Sequence, residues 1–257
     1  MNSTDDPGNH SPRYDSIGRS YAAVRRQDPR IAAEIWDAIG DAGSVINVGA
    51  GTGNYEPPQA RVVAVEPSTI MIGQRPTQSG PVVQATAESL PVADDSFDVA
   101  LAILTIHHWS DLHRGLAELR RVARRQVVLY FEPLRTRQFW VLEYFPEVVE
   151  VVPTERSAPG ERELRQALEV SEIRTVMVPH DCQDGFGAAY WARPEAYLDP
   201  TVQAGMSWLA LLPEDLKQAG TSRLQHDLAT GGWDRRHGHL RHQQEFDGGY
   251  RLALAGP

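Results

Sequence analysis

The sequence predicts an α/β protein built on a mostly parallel sheet with helices on both faces. Short, apolar, β-branched runs recur along the chain: "VINV" (45–48), "RVVAVE" (61–66), "VVQAT" (82–86), "FDVALAIL" (97–104) and "QVVLYFE" (126–132). They are continuous rather than alternating, as strands buried on both faces are. Helical or polar stretches separate them, which is the rhythm of successive βα units.

The elements follow in order. Residues 1–12, "MNSTDDPGNHSP", are polar and rich in turn formers, and are expected to be a flexible tail. "RIAAEIWDAIGDAG" sets Ile31, Ile35, Trp36 and Ile39 at helical spacing and ends on Gly40 and Gly43, so it reads as an amphipathic helix. "DLHRGLAELRRVAR" carries the stripe Leu112, Leu116, Leu119 and Val122. The basic run Arg120 to Arg125 is expected on the solvent side and end of that helix, where cations suit the macrodipole. After Pro133 come an aromatic helical stretch, a helix in "GERELRQALEV" and a sixth apolar run, "EIRTVMV" (172–178). Residues 180–240 form a long insert with Phe186, Tyr190, Trp191, Tyr197, Trp208 and Trp233. The turn signal "DGG" (247–249) precedes a last strand in "YRLALAG".

Composition narrows the function. A net charge of −9 and a pI near 5.5 argue against a nucleic-acid partner, which would want a basic face. Cys182 is the only cysteine, so neither a disulfide framework nor a thiolate metal cluster is expected. No apolar run is long enough to span a bilayer, and the start has no charged-then-apolar leader, so a soluble cytoplasmic protein is the expectation. Nearly all basic residues are Arg, with Lys217 the only lysine, a bias that fits a GC-rich bacterial genome.

The first strand runs into "GAGTGNYE", with glycines at 49, 51 and 53. In a doubly wound sheet the first strand-to-helix turn carries glycines because a Cβ would block the ligand or force an unfavourable φ. A dinucleotide loop, G-x-G-x-x-G, would need glycine at 54, where this chain has Asn54. Glu66, ending the second run, stands where a ribose hydrogen-bond acceptor is expected.

These residues, with "VVAVEPSTIMI", "VVQATAESLPVADDSFDVALAILTIHHWSDL" and "VVLYFEP", resemble the class I S-adenosylmethionine (SAM)-dependent methyltransferases of the type 11 group, which includes relatives of the ubiquinone-biosynthesis methyltransferases. The resemblance covers about residues 44–133. It implies a Rossmann-like, seven-stranded, mostly parallel sheet with an antiparallel last strand and a helical cap insert. It also implies SAM as cofactor, S-adenosylhomocysteine as product and no metal. Gly49, Ala50, Gly51 and Gly53 would lie under the cofactor; Glu66 and Pro67 would flank the ribose; Thr86, Ala87 and Glu88 would sit beside the adenine. Leu104 and Thr105 would flank the methionine part. Two residues depart from the family pattern: Asn47 and Thr86 each stand where Asp is usual.

The same resemblance divides the chain into lid helices (13–43), a SAM-binding core (44–179), an acceptor-binding cap (180–240) and the last strand (241–257). In the lid, Tyr14, Tyr21 and Arg25 are candidates to close over the cofactor, Tyr21 or Arg25 reaching the methionine carboxylate; an aromatic face packed on the core is the alternative. SAM carries an activated methyl, so the enzyme must chiefly align a nucleophile and exclude water, with a base only where the acceptor loses a proton. Candidate catalytic residues are His107, the adjacent pair His180 and Asp181, and Tyr21. For the histidines, packing or loop hydrogen bonding is the competing explanation. Candidate acceptor contacts are His108, Trp109, Glu132, Tyr190, Trp191 and Tyr197, the last three equally suited to a core of their own. A cluster at His237, His239 and His242 reads as an exposed turn rather than a metal site.

The expected partner is a small, aromatic or natural-product acceptor, methylated at carbon (an indole ring, for example), oxygen or nitrogen, by a monomer or homodimer. Two other classes compete with this reading. An NAD(P)-dependent oxidoreductase would want a different loop spacing and a Tyr-x-x-x-Lys pair. A non-catalytic SAM-binding protein would fit Asn47 and Thr86 but not a full-length aromatic cap.

Overall fold

The computed structural model describes residues 24–256. The expectations for the 1–12 tail, Tyr14 and Tyr21 fall outside the described residues.

Helix α1 (Pro29–Ile39) starts where Asp28 accepts from the Arg30 amide and Pro29 supplies a preset φ. It stops at Gly40, whose φ of 65° ends the helical run. Strands β1 (Ser44–Val48) and β2 (Arg61–Val65) follow, with helix α2 (Thr69–Gly73) capped by the Ser68 hydroxyl. Next come β3 (Val82–Val83), β4 (Phe97–Ile103), helix α3 (Leu112–Val122) and β5 (Ala123–Phe131).

The connection from β5 carries short helices α4 (Pro133–Thr136), α5 (Val148–Val151), α6 (Pro153–Arg156) and α7 (Glu161–Ala167), and leads to β6 (Val170–Thr175). Strand β7 (Val178–Pro179) leaves the main sheet. Helices α8 (Pro200–Gly205), α9 (Ser207–Leu211), α10 (Glu214–Ala229) and α11 (Gly232–His237) follow. Strand β8 (Glu245–Phe246) and the last strand β9 (Tyr250–Ala255) close the chain.

The main sheet has seven strands in the order β3-β2-β1-β4-β5-β9-β6. Pairings are parallel from β3 to β5, and β9 runs antiparallel to both β5 and β6. Alternate residues of the central strands feed two cores. Val45, Val99, Leu101 and Val127 pack with Ile31, Ile35 and Ile39 of α1. Ile46, Ala100, Ala102 and Val128 pack with Leu116, Leu119 and Val122 of α3. Each fully buried Leu or Ile stabilises by roughly 1.5–3 kcal/mol. Crossovers covered on both faces leave the carboxyl ends of β1, β2, β4 and β5 as the edge where a ligand site is expected.

Three details differ from the sequence reading. Helix α3 ends at Val122, and Arg124 and Arg125 lie on β5, because the next apolar run is taken up by pairing with β4 from Ala123 onward. The third run shrinks to two paired residues, its remainder being polar or exposed at the sheet edge. The sixth run splits: β6 pairs with β9, while Val178 and Pro179 pair with β8 in a separate ribbon.

Candidate active site

The turn after β1 folds tightly back on the sheet. The Gly49 and Ala50 amides both donate to the Val65 carbonyl, at 2.8 and 3.0 Å, and Gly53 donates to Ala50 at 2.9 Å. Gly49, Gly51 and Gly53 have φ of 69°, 55° and 90°, the left-handed region that glycine enters without a Cβ penalty. A Cβ at Gly49 would also overlap the Thr105 side chain, so the loop and the end of β4 are in direct contact.

Glu66 sits at the end of β2, 5 % exposed. One carboxylate oxygen accepts from the Gly51 amide at 2.8 Å and the other from the Ser68 amide at 2.9 Å. Those bonds fix an acceptor group between the glycine loop and α2. Beneath the loop, the Asn47 amide donates to Glu56 at 3.0 Å, and Arg75 donates to both Glu56 oxygens at 2.9 and 3.0 Å. The Arg75 and Glu56 side chains are only 4 % and 12 % exposed. The Asn47 carbonyl oxygen, the Asn54 amide nitrogen and the Arg75 Nε and Nη1 are buried there without hydrogen-bond partners among the described residues. Positive-φ glycines, a fixed carboxylate and unsatisfied buried polar atoms fit a small zwitterionic nucleoside such as SAM. In that fit Gly49, Ala50, Gly51, Gly53 and Glu66 would hold the ligand, with Asn47, Asn54 and Arg75 near its polar end.

The end of β4 is strained. Leu104 has φ +49°, uncommon for a bulky residue and costing on the order of 1–2 kcal/mol, and its amide donates to the Leu129 carbonyl at 2.8 Å. Thr105, Ile106, His107 and His108 then turn across the top of the sheet, and His108 donates its amide to Thr105. The His107 ring lies 4.8 Å from Phe131, and 3.9 Å from His108, centroid to centroid.

Beside this turn opens a cavity. Leu104, His107, His108 and Phe131 form its sheet side; Phe139, Val141, Leu142 and Val148 come from the β5–β6 connection; Phe186, Met206, Trp208 and Tyr250 close it. Arg25, Arg137 and Glu155 supply its charged groups. Burial pushes the Glu155 carboxyl up to about 7, with Arg137 pulling the other way. Arg25 is held by Asp184 at 2.5 Å, and Asp184, fully buried, also accepts from the Tyr55 hydroxyl at 2.9 Å.

The remaining candidates from the sequence are dispersed. Thr86 is exposed, Ala87 is buried in the core on the α3 side, and Pro67 accepts at its carbonyl from Gln84 at 3.1 Å. Glu88 accepts from the Ser110 amide and hydroxyl and the Asp111 amide, at 2.7, 2.8 and 3.2 Å, and so orders the entry to α3. Its hydrogen bonds hold it below the usual carboxylate range although burial opposes this. Trp109 packs against Gly115 of α3, away from the cavity. Glu132 accepts from the Glu161 amide at 2.9 Å and caps α7. His180 lies on the β7–β8 side, 3.2 Å from the Arg241 carbonyl, and Asp181 is 72 % exposed and paired with Arg30. Neither lines the cavity.

Trp191 and Tyr197 are fully buried core residues: the Trp191 indole donates to Val178, the Tyr197 hydroxyl to Gly187. Tyr190 packs edge-on against Tyr197 with Arg193 over its ring. His237 contacts Glu143 at 3.0 Å, and no cluster of three or more His, Cys, Asp or Glu among the described residues is arranged to hold a metal ion. The sequence reading missed the cavity residues 137–155, whose helices are too short to show an apolar stripe, and it missed Glu56 and Arg75. The unusual Asn47 was the one signal pointing to a compensating acid nearby.

Residues 46–131 match the model of a family described as a methyltransferase domain. A putative methyltransferase from an antibiotic biosynthesis pathway of Anabaena variabilis is 34 % identical, superposes with a TM-score of 0.83, and is covered over 99 % of its length by 91 % of this chain. The ubiquinone/menaquinone biosynthesis C-methyltransferase UbiE of Geobacter sulfurreducens is 30 % identical over 165 residues, which are 55 % of this chain and 63 % of that protein. The chain thus spans less than two thirds of that curated relative. The [4+2]-cyclase SpnF, 15 % identical with a TM-score of 0.51 over 96 % of this chain and 94 % of its own, shares the fold alone. A glycine loop, a strand-end acid and a sheet of this order define a nucleoside-binding α/β transferase. More narrowly, the chain belongs to the class I SAM-dependent methyltransferases of the type 11 group.

Proposed function

We propose that the protein transfers a methyl group from SAM to a small acceptor with an apolar, aromatic body. The observation that supports this is the shared wall: Thr105, which packs against Gly49, directly precedes the turn whose His107 and His108 line the acceptor cavity. Donor loop and acceptor cavity therefore adjoin at Leu104–Thr105. When bound, SAM supplies a methyl already activated on a sulfonium.

The chain's own residues do the rest. Gly49, Ala50, Gly51 and Gly53 allow close backbone approach, Glu66 accepts from the ribose hydroxyls, Leu104 supplies apolar surface, and Thr105 flanks the methionine part. Phe131, Phe139, Phe186 and Trp208 offer ring faces and edges to a flat acceptor and exclude water from it. Natural-product tailoring is the substrate class we carry for it, in line with the antibiotic biosynthesis pathway to which the similar Anabaena methyltransferase is ascribed. Among C-, O- and N-methylation the cavity's polar groups favour an acceptor with one polar atom. We further infer a cytoplasmic monomer or homodimer that acts on small molecules; the net charge of −9 speaks against nucleic acid, and no described helix is long and apolar enough to cross a membrane.

The test is transfer of labelled methyl from SAM to a panel of small phenols and indoles. Incorporation into at least one, lost in a cavity-filling Leu142→Trp variant that still binds SAM, is the expected result. No incorporation into any of the panel, with SAM bound, would count against the aromatic acceptor.

A further inference from the structure

Glu155 is the one carboxylate among the described residues lining the cavity. Five other carboxylates among the described residues around the site each hold a structural contact. Asp184 holds Arg25 and Tyr55, Glu66 holds the glycine loop, Glu56 pairs with Arg75, Asp28 caps α1 and Glu132 caps α7. The Glu155 side chain makes no hydrogen bond or ion pair with any described residue, although its backbone amide closes the turn onto Val152. A carboxylate drawn into a partly apolar cavity with only the more distant Arg137 charge to offset desolvation is disfavoured in its ionised form. Its helix, α6, packs against the turn Ile106–His108, so Glu155 stands on the cavity wall next to the end of β4.

The surrounding charges select what can face it. Arg25, from the start of the described chain, and Arg137, just after α4, line the same cavity, as do His107 and His108 from the turn after β4 and the Tyr250 hydroxyl of β9. An ammonium ligand would meet two guanidinium groups. An anionic ligand would meet Glu155 itself. A neutral molecule with an apolar ring and one weakly acidic hydroxyl meets neither penalty.

We propose that the acceptor carries the methylated atom as a phenolic or enolic hydroxyl and that Glu155 is its proton acceptor. The O–H hydrogen-bonds to the Glu155 carboxylate. As the oxygen–methyl bond forms, the methyl–sulfur bond breaks and leaves its electron pair on sulfur, and the hydroxyl proton passes to Glu155. This rests on the methyltransferase reading and deepens it. A carboxyl titrating near neutrality suits proton transfer from a weak acid, because the best general base titrates close to the working pH.

The test uses 2-naphthol and its methyl ether, 2-methoxynaphthalene, with the full-length protein saturated with S-adenosylhomocysteine. Wild type should bind 2-naphthol at least about 10-fold tighter than the ether, and Glu155→Gln should reduce that preference to below about 3-fold. With labelled SAM, kcat/KM for 2-naphthol should rise about tenfold per pH unit up to about 7, on an acid limb absent from Glu155→Gln, whose rate falls about 100-fold. Glu155→Asp, which keeps a carboxylate, should retain the limb at a reduced rate, and SAM affinity should be equal in all three proteins. A Gln variant that keeps both the preference and the limb overturns the proposal, as does a wild type that binds SAM but neither naphthalene. Failure of wild type to bind SAM would instead sink the methyltransferase reading itself.

Discussion

The Asn47 side-chain amide donates to the Glu56 carboxylate at 3.0 Å, and Arg75 donates to the same carboxylate at 2.9 and 3.0 Å. The family pattern has Asp at position 47. Here a neutral amide stands on the strand and a carboxylate nine residues on comes back to it, held by a buried guanidinium. The carboxylate beside position 47 comes from the loop, at Glu56.

Glu56→Ala would leave the Arg75 charge buried and unpaired. Breaking a buried pair from one side costs about 3–5 kcal/mol. The variant should lose about 3 kcal/mol of stability in urea unfolding, and a loss below about 1 kcal/mol would mean that Arg75 finds another partner.

Restoring the family residue should harm the protein. Asn47→Asp removes the donor to Glu56 and sets two carboxylates against each other, which forfeits a charge-assisted hydrogen bond worth about 2 kcal/mol. The loss should be smaller at pH 5 than at pH 8, because protonating one acid of the pair restores a donor. A variant as stable as wild type at pH 8 would contradict the arrangement.

Glu66→Ala should weaken SAM binding. A ribose hydroxyl donating to an ionised acceptor is worth about 1.5–3 kcal/mol, so affinity should fall at least about 10- to 150-fold by calorimetry. The Gly51 and Ser68 amides also lose their acceptor, so thermal stability should drop in the same variant. Unchanged SAM affinity would refute the ribose role.

Stability should depend on pH through Glu155. Its carboxyl titrates near 7 in the folded chain and near 4.5 when unfolded, so between those values the folded state binds more protons. The slope of unfolding free energy with pH is then negative, and stability falls as pH rises from about 4.5 to about 7. Glu155→Gln removes this contribution, so its stability curve should be flatter than that of wild type over the same window in unfolding measured every half pH unit. Parallel curves would show that Glu155 titrates normally.

How much of this was legible in the sequence follows from what each signal depends on. Runs such as 45–48 and 97–104 are apolar because both faces of their strands are covered, so the sheet could be read directly. Gly49 could be read because only glycine suits its backbone and its contact with Thr105. The cavity could not. Phe139, Val148 and Glu155 sit on or at the start of helical turns of four residues, too short for a periodic stripe, and meet only through tertiary packing. The same limit misdirected attention to Trp191 and Tyr197, whose aromatic composition suited a ligand but whose places are in the core. His180 and Asp181 adjoin in sequence, yet the β7–β8 ribbon carries them off the site.

The central claim is that the glycine loop and Glu66 hold SAM rather than a dinucleotide. Calorimetric titration of the full-length protein with SAM, S-adenosylhomocysteine and NADH tests it most directly. Saturable one-to-one binding of the first two, abolished or strongly weakened in Glu66→Ala, with no heat from NADH, is the predicted result. Tight NADH binding with none for SAM would contradict it.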